Sequence, residues 1–163
     1  MVNERLERAE RRLRSVMDPE LPFLSVVELG MIRSCSIDAN GCLVVQLTPT
    51  YSGCPATDAI QEDLHQALNE VDANFRIELV HAPAWTTDWI TEAAREKMRL
   101  NGIAPPEGSS ADKAFLLGQH QTVACPRCRS EATRLISPFG STACKAHFQC
   151  TDCQEPFDHF KCF

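Results

Sequence analysis

Two pairs of cysteines near the carboxyl end constrain this chain more than any other feature of its sequence. The pairs are Cys125-Pro-Arg-Cys128 and Cys150-Thr-Asp-Cys153, with 21 residues between them. A two-residue gap lets both thiolates of a pair reach one metal ion from a tight turn, so two pairs supply the four soft ligands of a closed tetrahedral site. This spacing is typical of a structural zinc site. Iron in the same four-thiolate cage is an alternative that the sequence leaves open.

The distribution of the cysteines favours metal ligands over disulfide bonds. Six of the nine cysteines follow residue 124, and the amino-terminal sequence MVNERLERAERRLRSVM lacks the apolar core of an export signal. No apolar run reaches the roughly 18 residues that a membrane span needs. We therefore predict a cytoplasmic protein that does not bind membranes, where clustered thiols are more often metal ligands than cross-links.

The length of 163 residues suits one ordinary domain and a small module. We predict an α+β domain over residues 1–102, a linker rich in Pro, Gly and Ser over 103–119, and a zinc-ribbon module over 120–163. A module of this size rarely folds on an apolar core alone, so it needs a metal or another cross-link.

Hydrophobic periodicity predicts a small mixed sheet of about three strands with packed helices in the first domain. The predicted helices cover residues 3–17, 55–71 and 86–102. The predicted strands cover residues 30–38, 42–47 and 75–80, the first two antiparallel across the Asn40-Gly41 turn.

A loop between a predicted strand and a predicted helix carries a second candidate site. In the sequence LTPTYSGCPATDAI, residues 47–60, Cys54 directly precedes Pro55. Because Pro is favoured at the first helical position, we expect Cys54 at the N-cap, where backbone N–H groups and the helix dipole favour a thiolate. Cys54 is therefore a candidate reactive thiol or metal ligand, with an inert capping residue as the alternative.

Two acids and two hydroxyls are candidates to join Cys54. Asp18 and Glu20 follow the first predicted helix, and Thr48 and Thr50 precede Cys54 in its loop. The ordinary alternative is that the acids end the helix and form salt bridges, while the threonines cap backbone N–H groups.

Further chemistry-bearing residues lie in the predicted ribbon outside the two pairs. Cys144 and Cys162, with two histidines at 147 and 159, could form a second metal site, exchange with the four ligands, or be buried, which is the ordinary place for a cysteine. Residues 120–163 have five basic and four acidic side chains, and the whole chain has a net charge of −6. We therefore predict no nucleic-acid partner, since such a partner requires a basic surface.

The chain resembles the PaaD family, small accessory proteins encoded with the bacterial phenylacetyl-CoA epoxidase, over residues 10–163. The resemblance is carried by the motifs DPELP, ELGMIRSC, LTPTYSGCPAT, APAWTTDWITE, CPRC and FGSTACKA. Residues 10–101 alone are similar to a wider family of iron–sulfur assembly domains that includes SufT. These resemblances imply a polar site formed by Asp18, Glu20, Thr48, Thr50 and Cys54, with Cys54 as its reactive cysteine.

The resemblance also implies a function, that of a maturation factor for the epoxidase, with the flavin and iron–sulfur reductase component as its client. Cys54 would transiently hold iron or an iron–sulfur cluster. A single thiolate is a weak ligand, so a second copy of the chain or the client would supply further ligands, which predicts a homodimer or a complex with epoxidase components. No standard catalytic motif is present, and we expect an accessory protein rather than an enzyme. The alternatives are a structural component of the oxygenase complex that handles no metal and, less favoured, a zinc-ribbon protein that binds nucleic acid.

Overall fold

The computed structural model describes residues 2–51, 53–107 and 122–161. Contacts between residues divide the chain into two compact units, Met1–Trp85 and Thr86–Phe163. No helix in the described part of the chain is both long enough and apolar enough to cross a membrane.

The first unit contains two helices and five strands among its described residues. The helices are α1 (Val2–Leu13) and α2 (Ala56–Asn69), and the strands are β1 (Met17–Asp18), β2 (Leu21–Ser25), β3 (Ile32–Ile37), β4 (Leu43–Leu47) and β5 (Phe75–Leu79). Strands β1 and β2 form an antiparallel pair. In the second sheet, β4 lies between β3, to which it is antiparallel, and β5, to which it is parallel. The predicted small mixed sheet with packed helices is confirmed.

The core of the first unit follows the periodicity of its elements. Alternate residues of β4 and residues at helical spacing on α2 are fully buried: Leu43, Val45, Leu47, Ile60, Leu64 and Leu68. Complete burial of each such side chain contributes about 1.5–3 kcal/mol relative to exposure. The strand pattern and the helix pattern therefore converge on one apolar layer between α2 and the sheet.

Helix α1 ends earlier than the predicted boundary at residue 17. Its last residue is Leu13, and Met17 already belongs to β1. Pro19 disfavours a helical backbone at Asp18, which instead pairs with Leu21 across the β1–β2 turn. A strand pair that the sequence analysis did not predict therefore replaces the last turn of the predicted helix.

The second unit contains one short 3-10 turn, one α-helix and four strands among its described residues. The elements are the 3-10 turn Thr87–Trp89, helix α3 (Glu92–Leu100), and strands β6 (Ile103–Ala104), β7 (Thr133–Ser137), β8 (Lys145–Cys150) and β9 (Pro156–Phe160). The sheet order is β6-β9-β8-β7, with β6 parallel to β9 and the other neighbours antiparallel. The helix predicted over 86–102 is interrupted, because Ile90 and Thr91 have extended backbones and Thr91 caps α3.

The division into units differs from the predicted boundary after residue 102. Helix α3 groups with the ribbon, and β6, at the start of the predicted linker, pairs with the last strand of the ribbon sheet. Residues 108–119 of that linker lie outside the described residues. The pairing of β6 with β9 joins positions about fifty residues apart, which local sequence patterns do not reveal.

Candidate functional site

The structure brings together the four cysteines that the sequence predicts as metal ligands. Their sulfur atoms all lie within 4.8 Å of one another, with 3.7 Å between Cys125 and Cys153 and 3.6 Å between Cys128 and Cys150. A tetrahedral ion with metal–sulfur bonds of about 2.3 Å places its sulfurs about 3.8 Å apart. Disulfide sulfurs, by contrast, are only about 2.05 Å apart. The four thiols therefore have the spacing of a tetrahedral metal site.

The two turns that carry these cysteines, here called the knuckles, share one local geometry. In each knuckle the N–H of the first cysteine donates to the carbonyl five residues later, from Cys125 to Ser130 and from Cys150 to Glu155, both at 2.9 Å. The residue after the second cysteine of each knuckle has a left-handed backbone, with φ of 65° at Arg129 and 62° at Gln154. The same backbone turn thus presents both pairs of thiols.

Two polar contacts join the knuckles at equivalent positions. Arg127 pairs with Glu155, and the Ser130 hydroxyl donates to Asp152. Each contact joins the residue two positions after the first cysteine of one knuckle to the residue five positions after the first cysteine of the other. The sequence analysis missed these contacts, although their equal offsets from the cysteines were visible. Exposed pairs of this kind contribute at most about 1 kcal/mol each, so they align the knuckles more than they stabilise them.

The thiols of the cluster do not ionise equally. The backbone N–H of Cys153 lowers the pKa of Cys150 to about 7. The backbone N–H of Ser130 lowers the pKa of Cys128, but partial desolvation of the thiol and hydrogen bonds with the neighbouring thiols outweigh it and raise that pKa to about 12. Contacts with neighbouring thiols therefore keep Cys128 protonated, and a divalent cation would supply the positive charge that favours its thiolate.

The other cysteines of the predicted ribbon do not belong to this group in the described part of the structure. Cys144 is buried, with its sulfur 3.0 Å from the hydroxyl oxygen of Thr142, outside the four-thiol cluster. Cys162 lies outside the described residues. An additional metal role for either cysteine stays a prediction.

The two ribbon histidines have separate environments. His147 places Nδ1 3.1 Å from a carboxylate oxygen of Asp158. His159 is buried, with its ring edge against Phe148 and its Nδ1 3.2 Å from the carbonyl oxygen of Ala104. Burial lowers the pKa of His159 to about 4, and the carbonyl contact only partly opposes this shift. His159 therefore packs as a neutral ring in the core.

The Cys54 loop lies at the amino end of α2, but the capping position differs from the prediction. Pro55, not Cys54, is the N-cap residue, and Cys54 precedes it by one position. The N–H of Cys54 donates to Tyr51, and its carbonyl accepts from Thr57. The Cys54 residue is only 8% exposed. Cys54 is thus a buried residue that precedes the helix end.

Unused polar groups mark this loop. Pro55 has no side-chain acceptor for the first N–H groups of α2, and no side-chain hydrogen bond caps the helix there. Thr48 and Thr50 are both buried, and the Thr48 hydroxyl has no hydrogen-bond partner among the described residues, although its backbone N–H donates to Met31. A buried hydroxyl without a partner is destabilising by about 1–3 kcal/mol, so its presence calls for an explanation.

The acids near the first helix have a structural role in the described fold. Asp18 is buried, and its Oδ1 accepts from the backbone N–H groups of Glu20 at 2.8 Å and Leu21 at 2.9 Å. Glu20 is half-buried. Among the described residues, the ligand atoms of three or more His, Cys, Asp or Glu side chains converge only in the four-cysteine cluster. Asp18, Glu20 and Cys54 do not form a second group of this kind.

Both halves of the chain match known family models. Residues 109–161 match a PaaD zinc beta ribbon domain, and residues 6–79 match an iron–sulfur cluster assembly protein. The first match includes all four clustered cysteines, and the second includes Cys54 and the acids. The ribbon architecture deduced from the knuckles is confirmed by this match.

Individual relatives agree with the family models. The chain is 47% identical, over 92% of its length and 88% of the relative, to an Escherichia coli protein named as a putative component of 1,2-phenylacetyl-CoA epoxidase. It is 37% identical, over 58% of its length and 93% of the relative, to an Fe-S protein maturation auxiliary factor of Porphyromonas gingivalis. A crystal structure of a domain of unknown function, DUF59, from Bacillus anthracis has a TM-score of 0.52 and 27% identity, covering 61% of this chain and 93% of that one.

Proposed function

The chain belongs to the PaaD family, and from this premise we propose that it is an accessory protein of a phenylacetyl-CoA epoxidase. In this proposal it assists the assembly or insertion of an iron–sulfur cluster in the reductase component of that enzyme. The observation that carries the proposal is the combination of two matches in one chain. An iron–sulfur assembly model covers residues 6–79, while the chain as a whole resembles a protein named as an epoxidase component.

Cys54 is the residue we propose to hold the cargo, either iron or a cluster, during transfer. Its position one residue before a helix end without a side-chain cap lies near the positive end of the helix dipole, which supports an anionic thiolate–metal group there. The unpartnered Thr48 hydroxyl gives the same loop an unused hydrogen-bonding group. Because Cys54 is 8% exposed, cargo transfer requires the loop to open.

One thiolate from this chain would have to be completed by ligands from elsewhere. The described acids do not converge with Cys54, so the remaining ligands would come from the client or from a second copy of the chain. A homodimer, or a complex with the reductase, is therefore part of the proposal. Ligands divided between two chains would also allow release, since separation of the chains halves the site.

The decisive experiment measures cluster content in the client. The reductase component is produced together with the wild-type chain, with Cys54→Ala, or with Cys42→Ala, which removes a half-buried cysteine of the same unit outside the loop. We expect lower iron and sulfide per reductase with Cys54→Ala and no change with Cys42→Ala. Equal occupancy with the wild type and Cys54→Ala would refute the cargo role.

The four-cysteine cluster is proposed as a structural zinc site held by Cys125, Cys128, Cys150 and Cys153. Tetrahedral spacing and four thiol donors fit zinc, whose role in such closed sites is to stabilise the fold. Iron fits the same donor set. Elemental analysis of protein purified without added metal would identify the ion, and an iron-only result would replace zinc in this proposal.

A second candidate function is a structural component of the epoxidase complex that handles no metal outside its ribbon. The burial of Cys54 and the backbone hydrogen bonds of Asp18 favour it, because both residues already have ordinary structural roles. This candidate predicts stoichiometric co-purification with the epoxidase that Cys54→Ala leaves unchanged. The same co-production experiment separates it from the cargo role.

A further inference from the structure

An aromatic side chain is exposed to solvent at the turn that follows β7. Phe139 is 66% exposed, and Ile136, three residues earlier, is 50% exposed. The β7–β8 pairing shifts register between Leu135 and Ser137, so Ile136 is the extra residue at this irregularity. Such irregularities redirect side chains and recur near functional surfaces. Contiguous exposed apolar surface marks candidate interaction sites, and Ile136 and Phe139 lie three positions apart in the chain.

The backbone that presents Phe139 is fixed by side-chain hydrogen bonds. The Ser137 hydroxyl donates to the Phe139 carbonyl at 2.8 Å and accepts from the Phe139 N–H at 3.2 Å. The Lys161 ammonium donates to the carbonyl of Pro138 at 3.3 Å. Hydrogen bonds from Ser137 and from Lys161 therefore hold this turn, while the Phe139 side chain is exposed to solvent.

Close packing fixes the same turn from beneath. The Gly140 N–H donates to the carbonyl of Lys145 at 2.8 Å. A Cβ added at Gly140 would lie 2.9 Å from a carboxylate oxygen of Asp158, so a larger residue there would require the Asp158 side chain to shift. The backbone that carries Phe139 is thus held by hydrogen bonds and packing. Binding of a partner would therefore cost little further backbone entropy at this turn.

Charge beside the ring indicates the kind of partner. The Lys161 ammonium lies 4.7 Å from the centroid of the Phe139 ring, within the range of a cation–π contact. A pocket that accepted this ring would meet the ammonium at its rim, where carboxylates are the complementary groups. The ribbon as a whole has a charge of only +1, which lacks the broad basic surface that nucleic acid requires.

We propose that Phe139 and Lys161, here called the aromatic knob, form a docking site for a protein whose surface has an apolar pocket rimmed by carboxylates. The inference rests on the proposed function for the identity of that protein, a component of the epoxidase complex. Fixed aromatic side chains that insert into pockets commonly dominate the binding free energy of an interface. The knob would therefore recognise the partner, while the Cys54 loop in the other unit handles the cargo.

Binding of the full-length, metal-loaded chain to each purified epoxidase component tests the proposal by calorimetric titration. We expect Phe139→Ala to weaken binding of one component by about 30-fold, the effect of losing an interface hot spot. Leu100→Ala is the matched control, since it removes an apolar side chain that is 77% exposed on α3 of the same unit. Lys161→Glu should weaken binding less than Phe139→Ala, and its effect should shrink as salt increases.

Three results would overturn the proposal. These are undiminished binding by Phe139→Ala, an equal loss with Leu100→Ala, and no binding of any component by the wild-type chain. Binding of a labelled single-stranded oligonucleotide that depended on Phe139 would instead identify a nucleic-acid surface. Circular dichroism and metal content of each variant verify that the ribbon is intact.

The cluster assay keeps this inference separate from the proposed function. A chain that binds through Phe139 but leaves the iron and sulfide of the reductase unchanged supports the knob and refutes the maturation role. A chain that raises cluster content without any dependence on Phe139 supports maturation and refutes the knob.

Discussion

The two units of this chain obtain their stability in different ways. In the first unit, fully buried aliphatic side chains of β4 and α2 form a continuous apolar layer. In the second unit, Cys125 and Cys150 are themselves members of the core, packed with side chains such as Phe148 and Phe157. The four-cysteine cluster and the apolar core of the ribbon therefore occupy the same place. A metal held by these cysteines would lie at the centre of the second unit, so we expect its removal to unfold that unit and to leave the first one intact.

Loss of a clustered cysteine should produce the largest difference between the units. Cys150→Ser removes one of the four proposed ligands and places a hydroxyl in the apolar core of the ribbon. We therefore expect loss of the metal and unfolding of the second unit. Structural zinc contributes on the order of 10 kcal/mol to such modules. Residue-resolved amide hydrogen exchange should show lost protection in β7–β9 and unchanged protection in β3–β5.

Cys144→Ser is the control for that experiment, because Cys144 is also a buried ribbon cysteine but lies outside the four-thiol cluster. It should leave the metal content at the wild-type level. Persistent protection of the ribbon strands in metal-free Cys150→Ser protein would contradict the stated dependence on metal.

A cavity in the first unit should have the converse effect. Leu64→Ala empties a fully buried position on α2, for which we expect a loss of about 2–5 kcal/mol of unfolding free energy. Leu79→Ala, at a position 43% exposed on β5, should cost much less. Denaturant unfolding measures both variants, and metal content should not change in either. A metal loss caused by Leu64→Ala would show that the two units do not unfold separately.

Acid should weaken the second unit through His159. The folded pKa is about 4, below the ordinary value of 6.5, so the folded state binds fewer protons than the unfolded chain between these values. Burial of the neutral ring therefore has no cost above pH 6.5. As the pH falls to 4, it lowers the unfolding free energy by about 3 kcal/mol in all. Unfolding of wild type and His159→Gln across this range measures it. Parallel pH profiles would contradict the prediction, since thiol protonation affects both proteins equally.

The smallest expected effect concerns Asp18 and distinguishes structure from cargo handling in the first unit. Asp18→Ala leaves the N–H groups of Glu20 and Leu21 without their acceptor and should cost about 1–3 kcal/mol. Asp18→Asn keeps an acceptor oxygen and should cost less. If Asp18→Asn were as stable as wild type but lowered the cluster content of the reductase, Asp18 would belong to the cargo site after all.

Local patterns predicted the parts of this structure that local physics determines. The Asn40-Gly41 turn fixed the pairing of Ile37 with Leu43 at the start of the β3–β4 hairpin. The spacing within each cysteine pair predicted convergence of the sulfurs without knowledge of the sheet. The hairpin turn and each knuckle are specified by residues within a few positions of each other, whereas the contacts between the two knuckles join cysteines 22 and 28 positions apart.

Other features depend on partners that are distant or on burial, and sequence patterns did not show them. The β6–β9 pairing joins Ala104 to His159, and neither residue signals the other. The accessibility of Cys54 depends on how the loop packs, so a residue that is favourable for a reactive thiol by position can still be 8% exposed. Asp18 likewise is buried at a position in the β1–β2 pair, which the sequence patterns did not predict.

Strand β6 also limits how this ribbon could be inherited. Because the last strand of the sheet pairs with a segment that lies before the knuckles, the ribbon cannot be cut out at residue 120 without exposing the edge of β9. Recombination that moved it to another protein would have to carry β6 along. The unit of exchange in evolution would then be larger than its cysteine pattern suggests.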